Sequence, residues 1–310
     1  MRVLVTGGTG YLGSAIVRAL ANRGHEPVAF ARRARAAGLP GTAIDGDVRD
    51  RRAVDAAARQ VDAVCHTAAL VSLWRPRPQD FDDVNVAALE TVLNVCETRR
   101  IERIVYTSSF LALPPAGAAR AIEANDYQRT KVRGREVVRR AVAQGLPIVT
   151  LYPGVVYGPG TASEGDLVGR VVRDHVAGRL PGIVGASRTW SYAYIEDVAA
   201  AHVRALELPP AAADFVLGGE NVPQQRVFEI VRDLTGRPLP RRIPYAAATA
   251  AGFVEEARAR VTGRPPRITR GAVTIFRHDW PLDSSESTRR LDYQVTPLVE
   301  GLPRVLAARD

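Results

Sequence analysis

Residues 1–13, MRVLVTGGTGYLG, pass from a short β-branched apolar run (Met1 to Val5) into a glycine turn, and an amphipathic helical pattern follows from Ser14 to Arg23 and stops at Gly24. Gly7, Gly10 and Gly13 stand in the spacing GxxGxxG between the strand and the helix. Each glycine has a mechanical use there. Gly7 permits the tight bend, Gly10 lets backbone approach a diphosphate, and Gly13 allows the helix to pack closely, while the first N–H groups of the helix face the anion. Tyr11 and Leu12, inside the same turn, are expected to border the cofactor. In this context the motif is the opening of a dinucleotide-binding βαβ unit.

Outward from this turn the pattern repeats. Strand-like runs lie at Pro27 to Ala31, Gly41 to Ile44, Ala63 to His66, Arg103 to Thr107 and Ile148 to Tyr152. Helical patterns separate them at Asp50 to Arg59, Asp82 to Thr98 and Tyr127 to Ala143. Strands alternating with helices predict an α/β fold, a doubly wound parallel sheet of the Rossmann type covered on both faces. Beyond Tyr157-Gly158-Pro159-Gly160 the alternation weakens and Pro and Gly become frequent. The expected organisation is a dinucleotide-binding domain over residues 1–160, rejoined by a strand and helix at about 188–207, and a smaller C-terminal α/β substrate-binding domain over 161–310.

The 310 residues suffice for about two domains. Two cysteines, Cys65 and Cys96, five histidines and no CxxC argue against a disulfide framework or a metal site. Both cysteines read as buried small apolar side chains in a reducing, cytoplasmic setting. No apolar run approaches the roughly 18 residues of a membrane span. The formal net charge of +9 raises nucleic acid as a partner, but the basic residues are interleaved with acids and only 6% of residues are aromatic, so none is expected. Of the 42 basic residues, Lys131 is the single lysine. Why one position kept lysine becomes the question.

Tyr127-Gln128-Arg129-Thr130-Lys131 supplies an answer. On a helix, positions i and i+4 share a face, so phenol and ammonium point into one cleft. A nearby cation favours the phenolate and brings a group with an ordinary pKa of about 10 toward working pH, as a general acid/base requires. The compact ammonium can also reach ribose hydroxyls, which a planar guanidinium does less well. None of the other eight tyrosines has a basic residue four positions later. At the end of a preceding strand, Val105-Tyr106-Thr107-Ser108-Ser109 offers a hydroxyl for the substrate oxygen, Ser109 in the first instance and Ser108 as its substitute. After the second strand, where a Rossmann fold distinguishes its cofactors, the sequence is Ala31-Arg32-Arg33, with no acid. Arg32 and Arg33 suit a 2′-phosphate, so NADP is expected and NAD remains open. Asp47, with Val48 beside it, is a candidate contact to the adenine. His66 is expected to bond backbone at the strand end, and His278 is a weaker pocket candidate.

These segments together resemble the extended short-chain dehydrogenase/reductase family, which includes the NAD-dependent epimerases and dehydratases. The motifs are TGGTGYLG, GDV, HTAA, VNVAALETVL, YTSS, YQRTK, YPGVVYGPG, SYAYIEDVA and GGENV, and they run nearly end to end. The stretches ALVSLW, YTSSFLAL, GRLPGIVG and TIFRHDWPLDSS look most like the dihydroflavonol-reductase-like and farnesol dehydrogenase-like branch. The resemblance implies Ser109, Tyr127 and Lys131 as the catalytic triad, with Asn85 holding a water in a proton relay. It implies Ala68 and Ala69 on the adenosine-ribose side and Tyr152, Pro153 and Val156 beside the nicotinamide. It also implies a homodimer through the helices beginning near Asp82 and Tyr127. Ser109 and Tyr127 are only 18 residues apart, which shortens the loop between them relative to extended members.

The expected reaction is interconversion of an alcohol and a carbonyl on a small molecule. The apolar and aromatic material in ALVSLW, Phe110, Trp190, Tyr192, Tyr194 and Trp280 favours a hydrophobic substrate, prenyl, phenolic or polyketide-like. The alternative is a sugar-nucleotide epimerase or dehydratase that retains its cofactor, for which Arg179, Arg188 and Arg270 are the candidate diphosphate contacts.

Overall fold

The computed structural model describes residues 1–160 and 163–308. Ten strands are present among them: β1 (Arg2–Thr6), β2 (Glu26–Ala31), β3 (Thr42–Asp45), β4 (Ala63–His66), β5 (Ile104–Thr107), β6 (Ile148–Pro153), β7 (Val155–Tyr157), β8 (Thr189–Tyr194), β9 (Ala213–Leu217) and β10 (Glu220–Pro223). Seven form one parallel sheet in the order β3-β2-β1-β4-β5-β6-β9. The central strands are mostly apolar and buried, as a sheet covered on both faces requires. The chain winds outward from β1 to β3, then restarts at β4 on the other side of β1, so the topological switch lies between β1 and β4. A crevice therefore opens at their carboxyl ends, where ligands of such sheets bind.

Each face carries its own core. On one side Ile16, Val17 and Leu20 of the helix Tyr11–Asn22 meet Val198, Ala201 and Leu206 of the helix Ile195–Glu207. On the other, Leu89, Val92 and Cys96 of the helix Ala88–Arg99 and Val137 and Val138 of the helix Asp126–Ala143 cover Leu4, Val64 and Ile104. Cys65 and Cys96 are buried free thiols in these two layers. Local caps fix the helices that matter below: the Asn125 side chain accepts from Gln128 N at the start of Asp126–Ala143, and Asp166 accepts from Gly169 N at the start of Leu167–Val176.

The expected return to the main sheet is redistributed. The strand within 188–207, β8, pairs with β7 and β10 in a separate three-stranded sheet, while the helix Ile195–Glu207 packs on the parallel sheet. The strand that joins the parallel sheet is β9, whose Leu151↔Phe215 register extends the edge beyond β6. The boundary expected at residues 160 and 161 falls at Thr161 and Ala162, which lie outside the described residues. The helical pattern expected over Asp82 to Thr98 is interrupted: a π-helical turn, Asp83–Ala87, precedes the helix Ala88–Arg99.

Candidate active site

At the carboxyl end of β1 the glycine turn closes with Gly10 N donating to Gly7 O at 2.9 Å and Gly7 N donating to Phe30 O at 2.9 Å. Gly7 has φ +70°, and a Cβ there would stand 2.7 Å from the Ala68 Cα. A Cβ on Gly13 would come within 2.1 Å of Gly7 O. The helix Tyr11–Asn22 starts at Gly10 with no side-chain cap and no acid in its first turn. Its first N–H groups are thus left for an anion.

In front of this turn lies a cleft of about 1040 Å³. Gly7, Gly10, Tyr11 and Gly13 form one wall; Arg32 and Arg33, past β2, and Asp47 and Val48, past β3, form another; Ala68 and Ala69, past β4, form a third. The size, the glycine cradle and the open helix terminus fit a dinucleotide. Asp47 is already engaged, because Arg49 donates to its two carboxylate oxygens at 2.9 and 2.6 Å. This side-chain pairing holds the carboxyl down at about 2 against the upward push of burial. Arg49 also borders the cleft, a residue that no sequence signal singled out.

A second cavity of about 330 Å³ adjoins the first, and Tyr11, Thr67, Ala69, Val71, Glu164 and Gly165 line both. Ser109, Tyr127 and Lys131 all line this second cavity, together with Ser108, Leu12, Pro153 and Val156. Ser109 stands two residues past β5 and caps a short 3₁₀ turn, its Oγ accepting from Leu111 N at 3.2 Å, which fixes the hydroxyl. Lys131 is 3% exposed; its Nζ donates to Thr107 O at 3.0 Å and sits 5.9 Å from the Tyr127 ring centre and 5.5 Å from that of Tyr106.

The electrostatics depart from expectation. Burial pushes the Tyr127 phenol up to about 12, and a hydrogen bond from Ser109 pulls the other way without overcoming it. Burial also pushes Lys131 down to about 8. Lys131, its ammonium held at the Thr107 carbonyl, does not offset the burial of the phenol, so the tyrosine is not brought toward neutrality in this state. It stands as a protonated donor at pH 7.

Three further placements correct the sequence reading. Asn85 does not line the cavity: its Oδ1 accepts from Leu70 N at 2.7 Å and its Nδ2 donates to Leu70 O at 3.3 Å and Thr130 Oγ1 at 2.9 Å. Both amide N–H bonds are therefore taken by protein, and the residue ties the segment beside Ala69 to the helix residue preceding Lys131. Tyr152 lines neither cavity; its hydroxyl donates to Asp214 at 3.4 Å and its ring faces Arg135. His66 bonds the Thr6 hydroxyl at 2.7 Å rather than backbone and stacks on Tyr106.

The second cavity is walled by apolar groups. Val71, Leu73 and Trp74 come from ALVSLW, Phe110 and Leu111 follow Ser109, and Trp190 comes from β8. Pro265, Pro266, Ala272, Ile275 and Phe276, far along the chain, complete it. Trp280 is instead core, 1% exposed against Phe110, and Tyr192, Tyr194 and His278 do not reach the cavity.

Residues 3–218 match the family described as NAD dependent epimerase/dehydratase. The chain belongs to this family. Within it, the epimerase/dehydratase chain is 32% identical to sterol demethylase protein B of Methylococcus capsulatus over 94% of its length and 93% of that protein's. It is 32% identical to a 2-alkyl-3-oxoalkanoate reductase of Stenotrophomonas maltophilia, over 99% of each chain. The crystal structure of gox2253 superposes with a TM-score of 0.81 at 26% identity, covering 98% of this chain and 96% of that one. A UDP-glucose-4-epimerase of Stenotrophomonas maltophilia, with NAD bound, shares the fold at a TM-score of 0.77 and 23% identity, over 99% and 97% of the two chains. The family, the parallel sheet and the reductase-named relatives make this an enzyme of the NAD-dependent oxidoreductase/epimerase type. Among the described residues no helix is long and apolar enough to cross a membrane, and no cluster of three or more His, Cys, Asp or Glu could hold a metal ion.

Proposed function

We propose that this family member interconverts an alcohol and a carbonyl on a largely apolar small molecule, with Ser109, Tyr127 and Lys131 as its catalytic residues. The observation that carries the reading is the convergence of these three side chains on one apolar cavity beside the glycine-turn cleft. Bound nicotinamide dinucleotide supplies or accepts the hydride. In the reductive direction the Ser109 hydroxyl donates to the substrate carbonyl oxygen, and Tyr127 gives that oxygen its proton. The phenol pushed up to about 12 holds that proton throughout the neutral range. Lys131, charged below about 8, stabilises the phenolate left behind. The relative named for reducing a 3-oxo group on an alkanoate supports a carbonyl substrate with an aliphatic body.

The sugar-nucleotide reading finds less support in the cavity. Arg179 is paired with Asp174, Arg188 with Asp279 and Arg270 with Glu256, and none of the three lines either cavity. We take NADP as the preferred cofactor because Arg32 and Arg33 border the cleft past β2, where no acid stands. The homodimer through the helices Ala88–Arg99 and Asp126–Ala143 and a cytoplasmic location belong to the same proposal.

The deciding experiment follows nicotinamide absorbance with NADPH and NADH over aliphatic, prenyl and aromatic ketones, with UDP-sugars as the competing class, on the wild type and Tyr127→Phe. Turnover of apolar ketones that drops at least about a thousandfold in Tyr127→Phe, with cofactor affinity retained, is the expected outcome. Retained turnover in Tyr127→Phe, or epimerisation of a UDP-sugar with no ketone reduced, overturns the reading.

A further inference from the structure

Charge inside the apolar cavity is nearly all accounted for. Lys131 is held by the Thr107 carbonyl. Glu164 takes a bidentate ion pair from Arg75 across the border of the two cavities, at 3.0 and 2.5 Å. The remaining charged lining residue is Arg170, in the first half of the helix Leu167–Val176. This helix is anchored: Asp166 caps it through Gly169 N at 3.0 Å and also accepts from Arg173 at 2.7 Å. Among the described residues the Arg170 guanidinium has no hydrogen bond, ion pair or ring contact.

We propose that Arg170 is the substrate's anion anchor, and that the substrate is an apolar molecule carrying a carboxylate in addition to its reacting carbonyl or alcohol. Three properties support it. The guanidinium borders the same cavity as Ser109 and Tyr127, so one molecule reaches all three. The nearest acid of the lining, Glu164, is neutralised by Arg75 and leaves Arg170's charge uncompensated. Arg170 itself is exposed, so a carboxylate paired with it keeps part of its hydration while the aliphatic body enters among Phe110, Trp190 and Phe276. That division of polarity orients a substrate: the charged end remains at the open side and the apolar body fills the cavity. Guanidinium suits the task because its parallel N–H bonds match a carboxylate in a bidentate fork. The role rests on the oxidoreductase reading above, since the anchor is useful only if the reacting oxygen lies at Tyr127.

The test compares 3-hydroxydecanoate with its methyl ester as alcohol substrates in the wild type, Arg170→Gln and Arg170→Lys, and measures thermal shifts with decanoate, decanamide and UDP in the absence of turnover. The wild type is expected to favour the acid over the ester. Arg170→Gln reduces that preference at least tenfold, chiefly through KM, and Arg170→Lys restores part of it. Decanoate, more than decanamide, raises the melting temperature of the wild type, and the difference disappears in Arg170→Gln. An acid-to-ester ratio unchanged in Arg170→Gln overturns the anchor, as does equal stabilisation by decanoate and decanamide. Stabilisation by UDP that is lost in Arg170→Gln also overturns it, in favour of a diphosphate ligand. If neither alcohol turns over but simple ketones do, the anchor falls and the oxidoreductase reading stands. If nothing turns over while decanoate stabilises only proteins with a cation at 170, the anchor stands as a carboxylate site and the oxidoreductase reading falls.

Discussion

Replacing Lys131 by Met is expected to abolish turnover and stabilise the fold, two effects of opposite sign from one side chain. Lys131 is 3% exposed, and burial lowers it from 10.5 to about 8. At 1.36 kcal/mol for each tenfold change in proton affinity, the fall from 10.5 to about 8 corresponds to roughly 3 kcal/mol of stability forgone at pH 7 for keeping the ammonium buried and charged. Methionine removes this cost but also the bond to Thr107 O, worth about 1 kcal/mol. The net gain is about 2 kcal/mol, a rise in melting temperature on the order of 4 °C for a chain of this size. The pH dependence is specific. Between about pH 8 and 10.5 the unfolded lysine still holds its proton while the folded one has released it, so wild-type stability rises with pH across that window. The advantage of Lys131→Met should therefore be full below pH 8, reach zero near about pH 9.5 and reverse by about pH 10.5. Paired thermal melts at pH 7 and at pH 10.5 measure it. A variant that melts at or below the wild type at pH 7, or a gap that does not narrow with pH, refutes the claim that the lysine is held at a cost.

Gly13→Ala should lose cofactor binding and about 3 kcal/mol of stability, because its Cβ would meet Gly7 O at 2.1 Å and both partners are backbone. Gly24→Ala is the contrasting case: φ is +82° but nothing lies within 4 Å, so melting should report only about 1 kcal/mol of backbone strain and cofactor titration no change. Asn85→Ala leaves the Leu70 N–H and the Leu70 carbonyl without their partner and removes one of the two bonds of the Thr130 hydroxyl, an expected loss of about 2 kcal/mol in denaturant unfolding. Because Ala69 and Val71 flank Leu70 and border both cavities, cofactor KM should rise more than kcat falls in that variant.

Much of the parallel sheet was legible because its strands are buried on both faces and so read as short, mostly apolar runs; β4 was placed to the residue and β6 to within one. The glycine turn and the i, i+4 pair were legible for a different reason, since both are local geometry. What escaped the sequence depends on contacts made at a distance. The π-helical turn at Asp83–Ala87 faces Leu70 and Thr130 through Asn85, and nothing in a helical periodicity announces it. Strand β9 is five residues between Pro209-Pro210-Ala211-Ala212 and Gly218-Gly219, and joins the sheet only because β6 offers it an edge. The cavity wall at residues 265–276 comes from the far end of the chain. Tyr152 escaped for the same reason. Its placement depends on a contact made at a distance, with Asp214 of β9 and Arg135 of the helix Asp126–Ala143. The tyrosine's titration also lay beyond sequence, because the spacing to Lys131 places a charge nearby while the depth of burial decides which effect wins.

The single lysine can now be argued from its surroundings. Around Nζ stand one carbonyl, Thr107 O at 3.0 Å, and the rings of Tyr106 and Tyr127 at 5.5 and 5.9 Å. An ammonium has three donors and can relax its burial by releasing a proton, as the fall to about 8 indicates. A guanidinium brings five donors in a rigid plane, and with a pKa above 12 it cannot shed its charge. In the same space arginine would leave donors unpaired and remain fully ionised, so in a chain that otherwise uses arginine throughout, this position penalises it. Lys131→Arg should thus melt below the wild type, where Lys131→Met melts above it, and both should lose at least about a hundredfold in kcat/KM. Volume alone would not give that pair of opposite shifts at a shared loss of activity. Near-normal turnover in Lys131→Arg, with an unchanged melting temperature, would mean that the cavity accepts either cation and that the lone lysine carries no chemical meaning.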